Sequence, residues 1–279
     1  QFDLNSAAAP PYFDGTGAVI TNDSALCGQI KVNRYIILPE KFPDSYGGVS
    51  QTIGTFAHEF GHMLGLPDLY DVDGSSHGIG NWGLMGGGAW NGLQQPGDSP
   101  AHMSPWSKQF LGWVTPIDVT GVLDAELIEQ VETKPDVYRI LSGNEYFLIE
   151  NRQKTGFDAG LPGSGLAIWH IDEGNATPDN YDNASECYPP LAAPLDYCSF
   201  NHFRVSRVQA DGKWELEKGA GKGGDAGDLF PGSTGEPSAF SLIALSISSL
   251  LKPPSSTGLP ASPVDCAFIA FPMAVNLLG

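Results

Sequence analysis

The stretch Ala57-His58-Glu59-Phe60-Gly61-His62-Met63-Leu64-Gly65-Leu66-Pro67-Asp68 sets two imidazoles four residues apart, a carboxylate beside the first, and a further carboxylate ten positions after it. On a helix His58 and His62 lie one turn apart on one face, so both can offer a ring nitrogen to one cation while Glu59 sits alongside. That is metalloprotease spacing. Ile53, Phe56, Ala57, Phe60 and Leu64 recur at i, i+3, i+4, i+7, which predicts a helix that buries this apolar stripe and turns both histidines toward a cleft on the opposite side. Ser50 is placed to cap its start. Gly65, followed by Pro67, ends it, because glycine accepts the left-handed backbone that other residues avoid. The turn then returns Asp68 toward the histidines as a third ligand. A zinc held by three protein groups keeps a fourth position for water and lowers that water's pKa to near neutrality. Glu59 is placed to take the water's proton and hand it to the leaving amine. The competing reading, a helix with two unrelated histidines, leaves Gly65 and Asp68 unexplained.

These residues resemble the M6 family of metallopeptidases, the immune-inhibitor-A group, whose zinc motif reads HExxHxxGxxD and continues as LPDxYD. Here residues 58–71 read HEFGHMLGLPDLYD. Further family-like text follows in order: GIGNWGLMGGGAWNG (78–92), a Pro/His/Met/Trp-bearing run to Trp113, YFLIENRQKTGFD (146–158), LPGSGLAIWHID (161–172), QADG (209–212) and GDAGDLFPG (224–232). The resemblance covers roughly residues 35–240 and implies a metzincin-like peptidase unit. It also implies His58, His62 and Asp68 as zinc ligands, Glu59 as general base, Met85 in a methionine turn beneath the zinc, and a secreted protein. The family carries a longer stretch before the zinc helix than the fifty or so residues here, so the upper half of the catalytic unit is expected to lack a part.

The fold class expected is therefore α+β: a metzincin-like zinc peptidase unit packed on a C-terminal β-rich unit. Residues 1–34 read as an irregular lead-in, 35–118 as the catalytic unit, 119–240 as the β-rich unit with an inserted loop at 174–202, and 241–279 as an apolar tail of open assignment. At 279 residues the chain can bury one large core or two modest ones. A formal charge of −18, from 32 acids against 14 bases, argues against nucleic acid, whose phosphates call for clustered Lys and Arg. Acidic loops suit calcium or a solvated surface instead. Cys27, Cys187, Cys198 and Cys266 lack CxxC spacing, which disfavours a thiolate zinc site; a Cys187–Cys198 disulfide closing a loop competes with buried free thiols. Gln1 opens no signal peptide, having no basic start that leads into an apolar run. The apolar segments 241–251 and 266–279 are too short to span a bilayer as helices.

Along the chain, Lys31–Pro39 predicts a strand leading toward the zinc layer. Asp71 and Asp73, alternating before Gly74, form either a calcium-wrapping loop or an Asx turn. His77 reads as a loop histidine that substitutes at the metal only if Asp68 fails to return. Residues 100–113 predict a short helix with Trp106, Phe110 and Leu111 on its buried side, ended by Gly112. Runs at 119–131, 136–141, 145–151 and 165–171 predict strands of a sheet or sandwich. Glu150 is a weaker third-ligand candidate. His170 and Asp172 alternate on a strand and, with Asp211, Asp225 and Asp228, form either a structural calcium cluster or a hydrogen-bonded set. Sequons occur at Asn22, Asn175 and Asn183.

Together these readings predict a zinc-dependent endopeptidase acting on extracellular protein or peptide substrates and holding one catalytic zinc, with structural calcium and a solvated or hydrogen-bonded acidic set standing as open alternatives. The alternative is a silent or truncated module that binds zinc or protein without cleaving. Cleavage preference and oligomeric state are not legible from the residues.

Overall fold

A computed structural model describes residues 19–26, 28–32, 36, 38–41, 48, 50–71, 74, 76–121, 127–142, 145–174 and 203–230. Strands β1 (Val19–Ala25) and β2 (Gly28–Val32) form an antiparallel hairpin turned at Gly28, whose φ is +114°. Helix α1 (Ile53–Met63) and the short α2 (Pro105–Phe110) bracket a glycine-rich segment with two turns of 3-10 helix, Gly80–Trp82 and Gly87–Trp90. A five-stranded sheet follows: β3 (Ile117–Asp118), β4 (Tyr138–Ser142), β5 (Glu145–Arg152), β6 (Gly165–Asp172) and β7 (Val205–Val208). The strands lie in chain order, antiparallel throughout except for the parallel pair β3–β4. The protein is thus mixed α and β.

The strand expectations at 136–141, 145–151 and 165–171 correspond to β4, β5 and β6. Of the run 119–131, the described residues 119–121 and 127–131 form no named strand: Val119 N donates to Arg139 O at 2.9 Å just past β3, and residues 127–131 touch β5 at one parallel bridge, Gln130 to Asn151. There the Asn151 side chain donates to Ile128 O at 2.9 Å, so a side-chain bond stands where a ladder would continue. Of the strand expected at 31–39, Lys31 and Val32 belong to β2, Ile36, Leu38 and Pro39 are in no strand, and residues 33–35 and 37 lie outside the described residues. Residues 122–126, the cysteines, most of the 174–202 loop and the 241–279 tail lie outside the described residues.

The period of two along β5 and β6 divides the buried side chains between two faces. Tyr146, Leu148, Ala167, Trp169 and Ile171 face a large core shared with Leu69, Ile79, Trp82, Met85 and Trp106, while Ile149 and Leu166 face a smaller one with Ile128, Tyr138 and Ile140. The sheet is therefore covered by the α1–α2 region on one side, and one continuous core joins the two. Buried charges cross the same boundary. Arg152, fully buried, donates to Trp82 O (3.0 Å), Glu150 Oε1 (3.0 Å) and both oxygens of Asp158 (2.9 Å each). Lys108 on α2 donates to Glu150 Oε2 at 3.2 Å. Arg207 on β7 lies over the rings of Trp82 and Trp169 and donates to the carbonyls of Ile168 and Asp228.

Both helices correct the sequence expectation. On α1 the apolar stripe is outward: Ile53, Phe56 and Phe60 are 51%, 42% and 51% exposed, and the buried positions are Gly54, His58 and Gly61. The physical reason is the two glycines, which let the backbone approach the neighbouring loop more closely than any stripe of large side chains permits. Thr52, not Ser50, precedes the helix, and its hydroxyl donates to Pro96 O. α2 is capped by Ser104, which accepts from Ser107 N at 3.1 Å, begins with Pro105, and buries Trp106 but leaves Phe110 54% exposed.

Candidate metal centre

The centre is built on the inward face of α1. A Cβ placed on Gly61 would stand 2.4 Å from Met85 Sδ, and one on Gly54 would stand 2.0 Å from Ala89 O. Bare Cα positions at both ends of His58's face thus seat the helix on the 85–89 loop. The helix closes at Leu64, where Gly65 takes φ +98° and Leu66 N donates back to Gly61 O at 3.1 Å. Leu69 N then donates to Met85 O at 2.7 Å. Asp68 is held between these two fixed points.

Asp68 Oδ1 lies 3.0 Å from His58 Nε2 and 3.2 Å from His62 Nε2. The other ring nitrogens face carbonyls: His58 Nδ1 donates to Leu84 O at 2.8 Å and His62 Nδ1 to Leu66 O at 2.9 Å. A carbonyl only accepts, so both Nδ1 atoms carry hydrogen and both neutral rings turn a bare Nε2 lone pair toward Asp68. Three acceptor atoms converging on one point repel unless a cation sits among them. Two imidazoles and a carboxylate, each imidazole oriented by a carbonyl behind it, are a donor set that fits zinc. Without a metal the relief is a proton: the hydrogen bond that His62 donates to Asp68 raises the His62 pKa to about 9, against burial, which lowers it. Burial alone would push the Asp68 carboxyl up, but hydrogen bonding to His58 and His62 outweighs it and holds that carboxyl well below the usual range. The rings of His58 and His62 meet edge to face at 4.8 Å, and Tyr70 stacks on His58 at 6.2 Å. Glu59 is half-buried next to His58, and its charge adds to the field that raises His62.

Met85 is fully buried with its sulfur against Gly61, one residue before the second histidine. His77 is not at the metal: its backbone N donates to Leu216 O at 2.8 Å and its Nε2 lies 3.1 Å from Ala220 O. Glu150 is occupied by Arg152 and Lys108. Asp71 is buried and accepts from Ser76 N, five residues on, at 2.8 Å; Asp73 lies outside the described residues. Asp172 accepts from Gly174 N at 2.8 Å at the end of β6, and His170 Nε2 lies 2.9 Å from Glu145 Oε2. Asp225 and Asp228 instead come together with Asp211 and with Glu215, which sequence reasoning did not single out. Tyr70 was also missed, as were the Leu66 and Leu84 carbonyls. A stacking ring two residues after a ligand has no pattern of its own, and a backbone carbonyl has no sequence signature at all.

Residues 7–114 match the profile of the immune inhibitor A peptidase M6 catalytic domain. Pre-pro-metalloprotease PrtV of Vibrio cholerae serotype O1 is 33% identical over 111 residues, covering 34% of this chain and 12% of that protein. Immune inhibitor A of Bacillus thuringiensis subsp. alesti is 48% identical over 60 residues, covering 21% of this chain and 9% of that protein. The chain thus spans about a tenth of the length of the curated relatives it matches.

Proposed function

We propose, from the match of residues 7–114 to the M6 peptidase catalytic domain, that the chain is a secreted zinc endopeptidase with a metzincin-like catalytic unit over 35–118 packed on the β-rich unit 119–240. The observation that carries the reading is the convergence of His58 Nε2, His62 Nε2 and Asp68 Oδ1, with both Nδ1 atoms committed to carbonyls. Those three atoms would hold the zinc, which when bound supplies a Lewis acid that polarises a peptide carbonyl and acidifies water. Glu59, next along the helix from His58, accepts the proton of the attacking water at its carboxylate. It then delivers that proton to the departing amide nitrogen. Leu66 and Leu84 carbonyls keep the imidazole tautomers fixed while this happens. Met85 fills the space below Gly61 and keeps α1 at its distance from the 85–89 loop. Substrates are proteins or peptides. Among the described residues no helix is long and apolar enough to cross a membrane.

The test pairs metal content by mass spectrometry with casein cleavage. One zinc per chain, cleavage abolished by a chelator, and a Glu59→Ala protein that keeps zinc but loses at least about 100-fold in rate are the expected results. Zinc retained with no cleavage by the unsubstituted protein would replace this reading with a module that binds zinc without cleaving. No zinc would reject the centre itself.

A further inference from the structure

The carbonyl that orients His58 belongs to a segment with little stiffness of its own. Leu84 O, which accepts from His58 Nδ1 at 2.8 Å, lies in a run with Gly83, Gly86, Gly87 and Gly88, and glycines leave a backbone free to turn its peptides. What fixes Leu84 comes from remote parts of the chain. Leu84 N donates to His102 O at 3.1 Å, and His102 N donates to Asp158 Oδ1 at 2.8 Å. We propose that Asp158 is a positioning residue for the metal centre: through His102 and Leu84 it sets the direction of the His58 imidazole. The proposal rests on the reading of His58, His62 and Asp68 as zinc ligands.

Asp158 is itself held rigidly. It is fully buried in the 3-10 turn Gly156–Gly160 that follows β5, with Arg152 donating from Nε to Oδ2 and from Nη2 to Oδ1, 2.9 Å each. A carboxylate gripped by two parallel N–H bonds cannot swing, and its charge makes the bond from His102 N stronger than one to a neutral acceptor. The turn is also clamped to the segment before His102. Ser99 Oγ donates to Phe157 O at 2.6 Å, and a Cβ on Gly160 would stand 2.8 Å from Ser99 O. A second route leaves the same ion pair: Arg152 Nη1 donates at 3.0 Å to the carbonyl of Trp82, 70 residues earlier and two before Leu84. One buried pair at the end of β5 thus steadies the Leu84 carbonyl from two directions.

The consequence is confined to one ligand. If Leu84 O drifts, His58 Nδ1 loses its acceptor, and the imidazole can rotate or take the other tautomer, which puts a hydrogen on the Nε2 that faces Asp68. His62 is the built-in contrast. Its acceptor, Leu66 O, lies in the turn that closes α1, where Leu66 N donates to Gly61 O at 3.1 Å, so its orientation is set locally.

The test uses the whole chain carrying Asp158→Asn, whose amide keeps the volume but offers one acceptor oxygen where two are used. Zinc affinity is read by competition with a coloured chelator, ligand geometry by the absorption bands of the cobalt(II)-loaded protein, and the two imidazoles separately by 15N-histidine spectra. Expected are a zinc Kd raised about 10-fold, the lower end for a partner outside the ligand set because Asp158 acts at a remove. The cobalt bands should change, and the His58 Nδ1–H resonance should move while that of His62 stays in place. Ile140→Ala, in the smaller core, is the comparison: less stable, it should keep the parent's zinc Kd and spectra below its melting temperature. An unchanged zinc Kd in Asp158→Asn, equal movement of both histidines, or the same loss of affinity in Ile140→Ala would overturn the proposal. Should Asp158→Asn not fold, amide hydrogen exchange of the unsubstituted protein replaces it: zinc should slow exchange at Leu84 and His102 more than in the β4–β5 ladder, and equal slowing would overturn the proposal. A parent that binds no zinc rejects the centre and this inference with it, whereas a zinc-binding parent matched by Asp158→Asn rejects the positioning role alone.

Discussion

Replacing Gly54 and Phe60 separately on α1 discriminates between the two orientations of that helix. If its apolar stripe faced the core, Phe60→Ala would empty a buried ring site at about 3–5 kcal/mol. Gly54→Ala, on the opposite face, would then gain about 1 kcal/mol of helix propensity. The structure reverses both. Phe60 is 51% exposed, so only about half of a ring's transfer free energy is at stake, about 1 kcal/mol, part of it returned by alanine's higher helix propensity. The Gly54 Cβ would stand 2.0 Å from Ala89 O and 2.9 Å from Gly97 Cα and Gly97 O. All three are backbone atoms, so no side chain can rotate away and the helix itself must move. Gly54 N also donates to Gly97 O at 2.9 Å, a bond that such movement stretches. Overpacking of this kind costs about 3 kcal/mol, leaving about 2 kcal/mol net after the propensity gain. Urea denaturation of metal-free protein followed by circular dichroism reads both values without linkage to zinc. A Phe60→Ala cost exceeding that of Gly54→Ala, or a Gly54→Ala protein more stable than the parent, would refute the inward glycine–histidine face.

Two further expectations concern the buried charges between the sheet and the zinc layer. Arg152→Met leaves Glu150 and Asp158 with an unpaired charge in a buried site, and thermal melting should show a loss of about 3–5 kcal/mol; a loss under 1 kcal/mol would mean the pairs are not closed. Glu132 is the third carboxylate facing only two cations there, and burial, then its hydrogen bond to Asp158, raises its pKa from 4.5 to about 7. The folded state therefore holds a proton that the unfolded chain releases, so ionised Glu132 costs stability progressively as pH rises from about 4.5 through 7. Glu132→Gln, whose amide can donate to Asp158 in the proton's place, should leave stability at pH 4 unchanged and raise it at pH 8 by about 1–2 kcal/mol after allowance for partial solvent screening. Equal effects at both pH values would contradict the assignment.

Much of the centre was legible in the residues themselves. Helical periodicity fixes His58 and His62 one turn apart, Gly65 fixes where the helix stops, and the number of residues in the turn limits how far Asp68 can stray; all three are local geometry. Short runs rich in Val, Ile, Leu, Tyr and Phe between turns likewise pointed to β4, β5 and β6, because branched and aromatic side chains favour the extended backbone. Orientation was not local. The apolar stripe of α1 is a better burial candidate than its glycines by any measure of hydrophobicity, yet Gly54 and Gly61 win because they admit the backbone of Ala89 and the sulfur of Met85, partners whose closeness no helical pattern encodes. The same holds for Asp228, whose buried carboxylate is held by the indole N–H of Trp82, 146 residues earlier, and for Arg152, whose charge is tolerable only among carboxylates gathered from separate segments. The sequence alone determined which groups could bind a metal and at what spacing along one helix. Only the tertiary structure decided which face of that helix is covered and which distant carboxylates share a site, because burial and charge pairing are set by contacts between segments remote along the chain.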